Sequence, residues 1–391
     1  ESLDELERLA DTAGARVLCR FVQRRPTPDS ATLIGEGKVA EIKAACDELG
    51  ATLVLFDSEL TPKQGSKLEK VLELKVVDRS QLILDIFAQH AHTSEGKLQV
   101  ELAQLTYVLP RLAGRGSIMR QQGGIGVRGP GEQKLEVDRR VIRNRMDRIK
   151  RELESVKRAR RVQRKHRGET SSGTVALVGY TNAGKSSLLN ALSGADVFVA
   201  DQLFATLDPR SRKCVLPSHR QIVLTDTVGF IRKLPHTLVA AFRATLEETL
   251  EADLLIHVAD ASQPGAEDQI SAVHDVLDEI GAGEKPMLMV LNKIDVASPE
   301  QLAALTKDRP NAIAVSAHTK EGLEALLEQI DVVLATTRRR VQLRVPQSEA
   351  GVIAQIHKNG RILEQTYEDN DILIDAEVDQ ALAGQTERFA V

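Results

Sequence analysis

The sequence predicts a multidomain α/β protein with four parts in order: a small α/β domain, an antiparallel helical hairpin, a parallel α/β domain and a small α+β module. Three observations support this prediction. The chain has 391 residues, which is long for a single domain. Short apolar runs alternate with helical patterns in the first and third parts, as in a parallel sheet covered by helices. Two stretches between these parts have the apolar spacing of paired helices.

Residues 1–92 form the predicted amino-terminal α/β domain. The predicted strands are 15–22, 51–56 and 75–77, and the predicted helices are 37–46 and 63–72. Strands that alternate with helices in this way favour a parallel sheet, because parallel neighbours need a crossover connection.

Residues 93–170 form the predicted basic helical hairpin. Leucines recur at intervals of 4, 3 and 4 residues in its first arm, and apolar residues recur at 4, 3, 4 and 3 in its second arm, predicted at about 132–165. This is the spacing of helices that pack along a shared seam. The seam residues are Leu98, Leu102, Leu105 and Leu109, then Ile142, Met146, Ile149, Leu153 and Val156.

A glycine-rich loop at 113–131 separates the two arms. One interpretation is a flexible linker. We favour a loop that orders against RNA, because glycine lets the backbone approach closely while arginine pairs with phosphate or stacks on bases. The candidate RNA-binding residues are Arg115, Arg120 and Arg128 in this loop and Arg139 and Arg140 in the second arm.

Charge is distributed unevenly along the chain. The formal net charge is −4, yet residues 111–167 contain 19 Lys and Arg against 6 Asp and Glu, which leaves −17 for the rest. A polyanion would be attracted by the basic part and repelled by the others. The hairpin is therefore predicted to contact RNA.

The third part, predicted at 171–337, begins with the most informative motif. Residues 179–186 fit the phosphate-binding pattern G-x-x-x-x-G-K-[ST], with an apolar strand before them and a helix start after them. In this pattern backbone N–H groups surround phosphate oxygens, Lys185 adds charge at the β- and γ-phosphates, and the Ser186 hydroxyl can ligate Mg²⁺.

Three further motifs follow, each at the carboxyl end of a predicted strand. Asp226 can hold Mg²⁺ through water, and the Gly229 N–H can meet the γ-phosphate. Asn292 and Asp295 can read the polar edges of guanine, which favours GTP over ATP, and residues 314–317 can touch the base. Ligands of open α/β sheets bind at these strand ends. The sequence therefore predicts a P-loop GTPase domain that converts GTP to GDP and phosphate.

The predicted nucleotide-contacting residues come from these motifs and from the intervening segment at 204–208. They are Gly179, Tyr180, Thr181, Asn182, Ala183, Gly184, Lys185, Ser186, Ser187, Phe204, Thr206, Asp226, Gly229, Asn292, Lys293, Asp295, Ser316 and Ala317. Among them Lys185, Thr206 and Gly229 are the candidate catalytic residues. Ser186, Thr206 and, through water, Asp226 are the candidate Mg²⁺ ligands. Thr206 is the candidate switch threonine, with Thr181 as its rival.

Two positions bear on the rate of hydrolysis. Phe230 stands where Ras-type proteins carry the Gln that orients the attacking water. A phenyl ring cannot do this, so we expect slow hydrolysis that needs an activator, although Phe230 fits a core aromatic equally well. Asn182 matches an Asn of several GTPases that lack the Gln and bind K⁺. The alternative is an Asn that only stabilises the loop.

The remaining observations limit the class of protein. Residues 338–391 read as an α+β module, with strands at 341–345 and 371–374 and a helix at 350–357. Cys19, Cys46 and Cys214 are far apart, which disfavours a disulfide framework or a metal site. No apolar run approaches the roughly 18 residues of a membrane span, and the acidic start of the chain does not resemble a signal peptide. We therefore expect a cytoplasmic protein, and we expect a monomer.

Taken together, the chain resembles the HflX family of translational GTPases over nearly its full length. The resemblance rests on Gly-Val-Arg-Gly-Pro-Gly-Glu at 126–132, the phosphate loop at 179–186, Phe-Ala-Thr-Leu-Asp at 204–208 and Asp-Thr-Val-Gly-Phe at 226–230. One departure is Gln133-Lys134, where the family usually reads Thr-Gln.

This resemblance implies a ribosomal partner. Such proteins bind the large subunit and its rRNA, with the hairpin loop reaching toward the peptidyl-transferase region, and GTP favours the bound state. It also implies that the ribosome stimulates hydrolysis, and that the protein splits or rescues stalled ribosomes under stress. Some members bind ATP through the amino-terminal part, but no residue pattern in 1–92 indicates this.

Three other functions stay open from the sequence. The first is a GTPase that checks a precursor large subunit during assembly. The second is an ATP-driven RNA remodeller, against which Asn292 and Asp295 argue. The third is an RNA-binding scaffold with an inactive nucleotide domain, which the complete motif set disfavours.

Overall fold

The computed structural model describes residues 2–115, 130–168, 173–194, 203–204, 206–232, 246–336, 339–368, 370–378 and 380–391. The chain divides into two compact units. The first comprises Glu1–Lys157, Ala200–Asp208 and Ile231–Thr245, and the second comprises Arg158–Val199, Pro209–Phe230 and Leu246–Val391. Each unit is therefore built from segments that are distant in sequence.

The first unit begins with a small α/β fold and continues into two long helices. Its strands β1 (Leu53–Phe56) and β2 (Lys75–Asp78) pair in parallel. Its helices are α1 (Ser2–Thr12), α2 (Glu36–Leu49), α3 (Pro62–Leu72), α4 (Arg79–His90), α5 (Ser94–Arg115) and α6 (Pro130–Gly168), the last of which extends into the second unit. The predicted class of fold, an α/β domain followed by a helical hairpin, is confirmed.

The predicted strand at 15–22 is wrong. Residues 15–25 form no helix or strand, and Leu18 and Val22 are 46% and 66% exposed. The apolar alternation looks like a strand, but β propensity depends on packing against neighbouring strands and on burial. An extended segment whose apolar side chains face water gains little from joining a sheet.

Helix α5 joins the α/β fold through packing and through the polar contacts of one arginine. Helix α5 packs against α3 and α4, and its buried residues include Val100, Ala103 and Tyr107. Arg111 donates to the Leu60 carbonyl at 2.8 Å and to the Asp78 carboxylate at 3.0 Å. Its guanidinium also lies 3.3 Å from the centre of the Tyr107 ring. These contacts fix the base of the hairpin to the domain that precedes it.

The predicted seam leucines of α5 are only half-buried. The buried face of this helix is instead the adjacent one, which contains Val100, Ala103 and Tyr107. On α6, Ile149 is fully buried. Arg145 of α6 forms a two-pronged ion pair with Glu101 of α5, with nitrogen–oxygen distances of 2.6 and 2.7 Å. The Glu101–Arg145 ion pair therefore joins the two helices.

The second unit is built on a six-stranded sheet in the order β4-β5-β3-β6-β7-β8, in which only β4 runs antiparallel to its neighbour. The strands are β3 (Gly173–Gly179), β4 (Arg210–Val215), β5 (Gln221–Asp226), β6 (Leu254–Asp260), β7 (Met287–Asn292) and β8 (Ile313–Ala314). The helices are α7 (Lys185–Ser193), α8 (Glu247–Glu251), α9 (Ala266–Ile280), α10 (Pro299–Lys307) and α11 (Leu323–Thr336).

The centre of this sheet is apolar on both faces. Strand β6 is buried along its whole length, and β3 is buried except at Thr174. Parallel strands covered by helices on both faces show this pattern. The carboxyl ends of β3, β5, β6 and β7 lie at one edge of the sheet, which is where ligands of such folds bind.

A three-stranded antiparallel sheet forms the carboxyl-terminal module. Its strands β9 (Arg339–Pro346), β10 (Arg361–Glu368) and β11 (Asp371–Val378) are arranged in the order β10-β11-β9, with helices α12 (Ala350–Asn359) and α13 (Gln380–Thr386). The sequence analysis missed β10, because this polar edge strand leaves Tyr367 69% exposed. Across the described ranges, no helix has the length and apolar character that crossing a bilayer requires.

Candidate functional site

The phosphate loop connects β3 to α7 in the second unit. Gly184 precedes the helix with a φ of +89°, and a Cβ at this position would collide with the Asn292 amide. Only glycine combines this left-handed backbone with such a close approach. Tyr180 and Ala183 are buried, whereas Ser187 is half-buried in the first turn of α7. The loop therefore directs a helix amino terminus toward the sheet edge, an arrangement that binds anions.

Lys185 is the buried cation of this loop. Its Nζ donates to the Tyr180 carbonyl at 2.8 Å and to the Gly179 carbonyl at 3.2 Å. Burial lowers the pKa of Lys185 to about 8, although the negative charge of Asp226 acts in the opposite direction. A buried ammonium group gains free energy from a nearby anion, since an anion replaces the hydration that the group has lost.

Ser186 and Asp226 lie together at the ends of α7 and β5. The Ser186 hydroxyl donates to Asp226 Oδ2 at 2.6 Å, and Asp226 is fully buried. A hydroxyl and a carboxylate are hard oxygen donors, which fit Mg²⁺. Within the described ranges, no cluster of three or more His, Cys, Asp or Glu residues could hold a metal ion. A Mg²⁺ ion here would therefore need phosphate and water oxygens to complete its coordination.

The segment after Asp226 lies directly against the phosphate loop. The Thr181 N–H donates to the Phe230 carbonyl at 2.7 Å, and the Phe230 N–H donates to the Gly179 carbonyl at 3.0 Å. A Cβ on Gly229 would lie 2.7 Å from the Thr181 Cα, so this approach requires glycine. The Phe230 side chain is 1% exposed and belongs to the core, as one of its two interpretations expects.

Asn182 adopts a left-handed backbone with a φ of +61°. Asparagine tolerates this conformation better than most residues, so shaping the loop is one physical reason for its presence. This geometry supports the interpretation of Asn182 as a loop residue, while K⁺ binding stays a prediction.

Side-chain hydrogen bonds connect the two remaining motifs to each other and to the phosphate loop. Asn292 donates from Nδ2 to the Ala183 carbonyl at 2.9 Å and accepts at Oδ1 from the Ala317 N–H at 3.1 Å. The Ser316 hydroxyl donates to Asp295 Oδ1 at 2.6 Å. Hydrogen bonds thus connect Asn292 to the phosphate loop, and they connect Asn292 and Asp295 to residues 316–317. These bonds orient Asn292 and Asp295 before any ligand arrives, which reduces the entropy cost of binding.

One residue of this network was missed by the sequence analysis. Asp260, at the end of β6, is 3% exposed and pairs with Lys293, with a nitrogen–oxygen distance of 2.7 Å. It also accepts hydrogen bonds from the Ser262 N–H and hydroxyl at 3.0 and 2.6 Å. Like Asp226, Asp260 is an acidic residue at the end of an apolar strand. The same sequence pattern could therefore have identified it.

The remaining predicted site residues are two nucleotide-contacting residues and the candidate RNA-binding arginines. Phe204 and Thr206 are buried and belong to the first unit, whereas the four motifs described above belong to the second. Arg139 is half-buried and Arg140 is exposed on α6. Arg120 and Arg128 lie outside the described residues, and for Arg115 only the helical backbone is described.

Family models match most of the chain in four consecutive stretches. They are described as GTP-binding GTPase N-terminal (residues 1–88), GTP-binding GTPase Middle Region (90–167), 50S ribosome-binding GTPase (174–293) and HflX C-terminal domain (301–389).

Individual relatives match over almost the full length. A GTPase HflX from Caldanaerobacter subterraneus is 47% identical over 100% of this chain and 90% of its own. A GTPase HflX from Escherichia coli is 45% identical over 95% of this chain and 88% of its own. Among solved structures, a GTP-binding protein from Sulfolobus solfataricus in complex with GDP is 28% identical, with a TM-score of 0.43 over 84% of this chain and 94% of that one.

Proposed function

Since the chain belongs to the HflX family of GTPases, we propose that its nucleotide state controls docking of the basic hairpin onto RNA of the large ribosomal subunit. GTP hydrolysis is the activity of this family, and the chain is a GTP-hydrolysing enzyme. The proposal adds a partner, a surface and roles for individual residues.

Each role follows from the chemistry of the second unit and of the Thr206 segment. Lys185 stabilises charge on the β- and γ-phosphates, and the Gly229 N–H senses the γ-phosphate. Ser186 and Thr206 would ligate Mg²⁺, and Asp226 would hold it through water. When bound, this ion would neutralise charge that develops on the phosphates. Asn292, Lys293 and Asp295 select guanine, with Ser316 and Ala317 beside the base. The backbone of 179–187 and residue Phe204 complete the nucleotide contacts.

The observation that supports an RNA partner best is the separation of charge. Residues 111–167 carry a net charge of +13, while the rest of the chain carries −17. RNA would therefore be drawn to the hairpin and repelled from the GTPase domain. The name 50S ribosome-binding GTPase, given to the family model that matches residues 174–293, supports the large subunit as the source of that RNA.

The test is GTP hydrolysis with and without purified large subunits, comparing wild type with Arg140→Glu. Arg140 is exposed on α6, so its reversal should remove an RNA contact without disturbing a core. We expect the large subunit to stimulate GTP hydrolysis by the wild type. The variant should need a higher subunit concentration for the same stimulation, and the size of this difference should depend on the salt concentration. Lys307→Glu, an equal charge change on exposed α10, is the matched control. Absence of stimulation in the wild type would contradict the proposal.

We further propose that the complex serves to split or rescue ribosomes under stress. Co-sedimentation with mature subunits would support this role, whereas a preference for precursor subunits would indicate a role in assembly instead. An ATPase activity that survives Lys185→Ala would point to an RNA remodeller.

Three remaining points belong to the same proposal. We propose functional domains at 1–92, 93–170, 171–337 and 338–391, and a monomeric protein. We also propose that Asn182 helps to bind K⁺ beside the phosphates. Faster hydrolysis in KCl than in NaCl would support that role, and equal rates would contradict it.

A further inference from the structure

The Asp208 carboxylate binds the two residues that precede the first helix of the hairpin, α5. Asp208 Oδ2 accepts the N–H groups of His92 and Thr93 at 3.0 and 2.8 Å, and Oδ1 accepts the Thr93 hydroxyl. Thr93 in turn accepts the Gly96 N–H at 3.0 Å and so caps the amino terminus of α5. Asp208 lies so close to Gly96 that a Cβ there would collide with its carboxylate.

The same segment is attached at its other end. The Phe204 and Phe87 rings meet edge to face, with centroids 4.6 Å apart, and both side chains are fully buried. Phe87 belongs to α4 and Asp208 contacts the start of α5. We call residues 203–208 the switch segment. Two successive helices of the first unit thus hold it near each end.

The candidate Mg²⁺ ligand Thr206 lies between these two anchors. Two residues of extended chain span at most roughly 7 Å, so Thr206 cannot move far unless Asp208 moves or its three hydrogen bonds break. Pro209, the next residue, belongs to the second unit. This stretch of the first unit therefore ends at Asp208, and the chain then continues into strand β4 of the GTPase sheet.

The chain that follows Phe230 also belongs to the first unit. Ile231 directly follows Phe230, and it is 1% exposed and belongs to the first unit. The carbonyl of Arg232 accepts a hydrogen bond from Arg79 at 3.1 Å. Arg79 is itself held by Glu5 and Asp57 at 2.5 and 2.8 Å. Asp208 and Arg232 are thus each anchored by contacts within the first unit.

We propose that Asp208 and Thr93 are positioning residues for GTP hydrolysis. They hold the switch segment to the start of α5, so that the placement of Thr206 and the orientation of the hairpin depend on each other. This inference rests on the proposed function for the role of Thr206. Linkage makes the coupling reciprocal: a nucleotide that moves Thr206 biases α5, and a partner that holds the hairpin biases Thr206.

Substitutions at position 93 separate this contact from ordinary helix capping. Thr93→Ser keeps both the cap and the contact. Thr93→Asp keeps a good cap but places a second carboxylate against Asp208, so the contact is lost. Asp208→Asn in the Thr93→Asp background removes the repulsion, because the Asn amide can donate to the new carboxylate. The double variant should therefore restore what Thr93→Asp loses.

The first measurement needs no ribosome. Amide hydrogen exchange of residues 94–97 is compared between full-length protein loaded with GDP and with a non-hydrolysable GTP analogue. We expect a nucleotide-dependent difference in the wild type and in Thr93→Ser, its loss in Thr93→Asp and its return in the double variant. A difference that persists unchanged in Thr93→Asp, or that is absent from the wild type, would overturn the proposal.

The second measurement connects the contact to catalysis. Thr93→Asp should lower the subunit-stimulated kcat by about tenfold, within the usual range of coupling between sites, and leave the KM for GTP nearly unchanged. Loss of kcat in Thr93→Ser as well would indicate a general structural defect and overturn the positioning role. If the subunit fails to stimulate the wild type, the ribosomal proposal fails while the exchange experiment still decides this one.

Discussion

The two parts of the molecule that are proposed to handle GTP are built differently. In the second unit each motif is held by a neighbouring motif: Asn292 by Ala183 and Ala317, and Asp295 by Ser316. The switch segment is held instead by helices of the first unit. Under the proposed roles, recognition of the nucleotide would rest on a preorganised sheet edge, whereas the response to it would depend on residues that the first unit holds in place. Substitutions at the sheet edge should change binding most, and substitutions in the hairpin should change it least.

The largest effect is expected at Lys185. Lys185→Ala removes the buried cation that is proposed to face the phosphates, so kcat/KM for GTP should fall by about 10²-fold or more, as for other preorganised charge-stabilising groups. The free protein should keep its fold, because the substitution also removes a desolvated charge. Steady-state hydrolysis and thermal unfolding with and without GDP measure the two quantities.

Lys213→Ala is the matched control for this prediction, since Lys213 is an exposed lysine on β4 of the same unit. It should leave both measurements unchanged. Full activity of Lys185→Ala would refute the assignment of this loop as the phosphate site.

The next effect concerns the choice of base. Asp295→Asn replaces an acceptor with an amide that meets the donor edge of guanine, and GTP affinity should fall by about 10²-fold because hydrogen bonds to a charged group are lost. Ser316→Ala removes only the hydroxyl that orients Asp295, so its effect should be about fivefold. Competition of GTP and ATP against a labelled nucleotide measures both.

Asp308→Asn, at the end of α10, is the control that changes the same group away from the site. An unchanged preference for GTP over ATP in Asp295→Asn would place base recognition elsewhere. Equal losses in Asp295→Asn and Ser316→Ala would show that the two residues act as one unit.

The same contrast explains what the sequence could predict. The phosphate loop is a local structure, because its glycines, lysine and serine are close in the chain and follow a buried strand. The ends of strands could also be recognised from short apolar runs followed by polar residues, and this pattern identified Asp226, Asn292 and Asp295 as candidates. These predictions depend on short-range geometry and on one rule about parallel sheets.

The anchors of the switch segment could not be predicted. Asp208 and Thr93 are 115 residues apart in the chain, and Phe204 and Phe87 are slightly farther apart. Such pairs are decided by packing between segments, for which a single sequence has no periodic signal. The incorrect strand at 15–22 and the missed strand β10 have the related cause that strand formation depends on neighbours outside the segment.

The smallest effect is expected in the hairpin, at the ion pair between Glu101 and Arg145. Its side chains are 37% and 39% exposed, so water screens the pair, and Glu101→Gln should reduce the stability of α5 by at most about 1 kcal/mol at neutral pH. Arg145→Lys is the matched variant, because it keeps the charge but cannot form the two-pronged contact. Amide exchange in α5 measures the local free energy of opening.

The pH dependence of this pair has a definite sign. The hydrogen bond from Arg145 lowers the pKa of Glu101 in the folded protein below its ordinary value of 4.5. The stabilisation is therefore present above that value and is lost as the pH falls through the folded-state pKa. Wild type and Glu101→Gln should differ at pH 7 and converge in acid. A difference that persists in strong acid would mean that Glu101 acts through packing. At pH 7 the wild type and Glu101→Gln should bind nucleotide equally, because neither Glu101 nor Arg145 is among the proposed nucleotide-contacting residues.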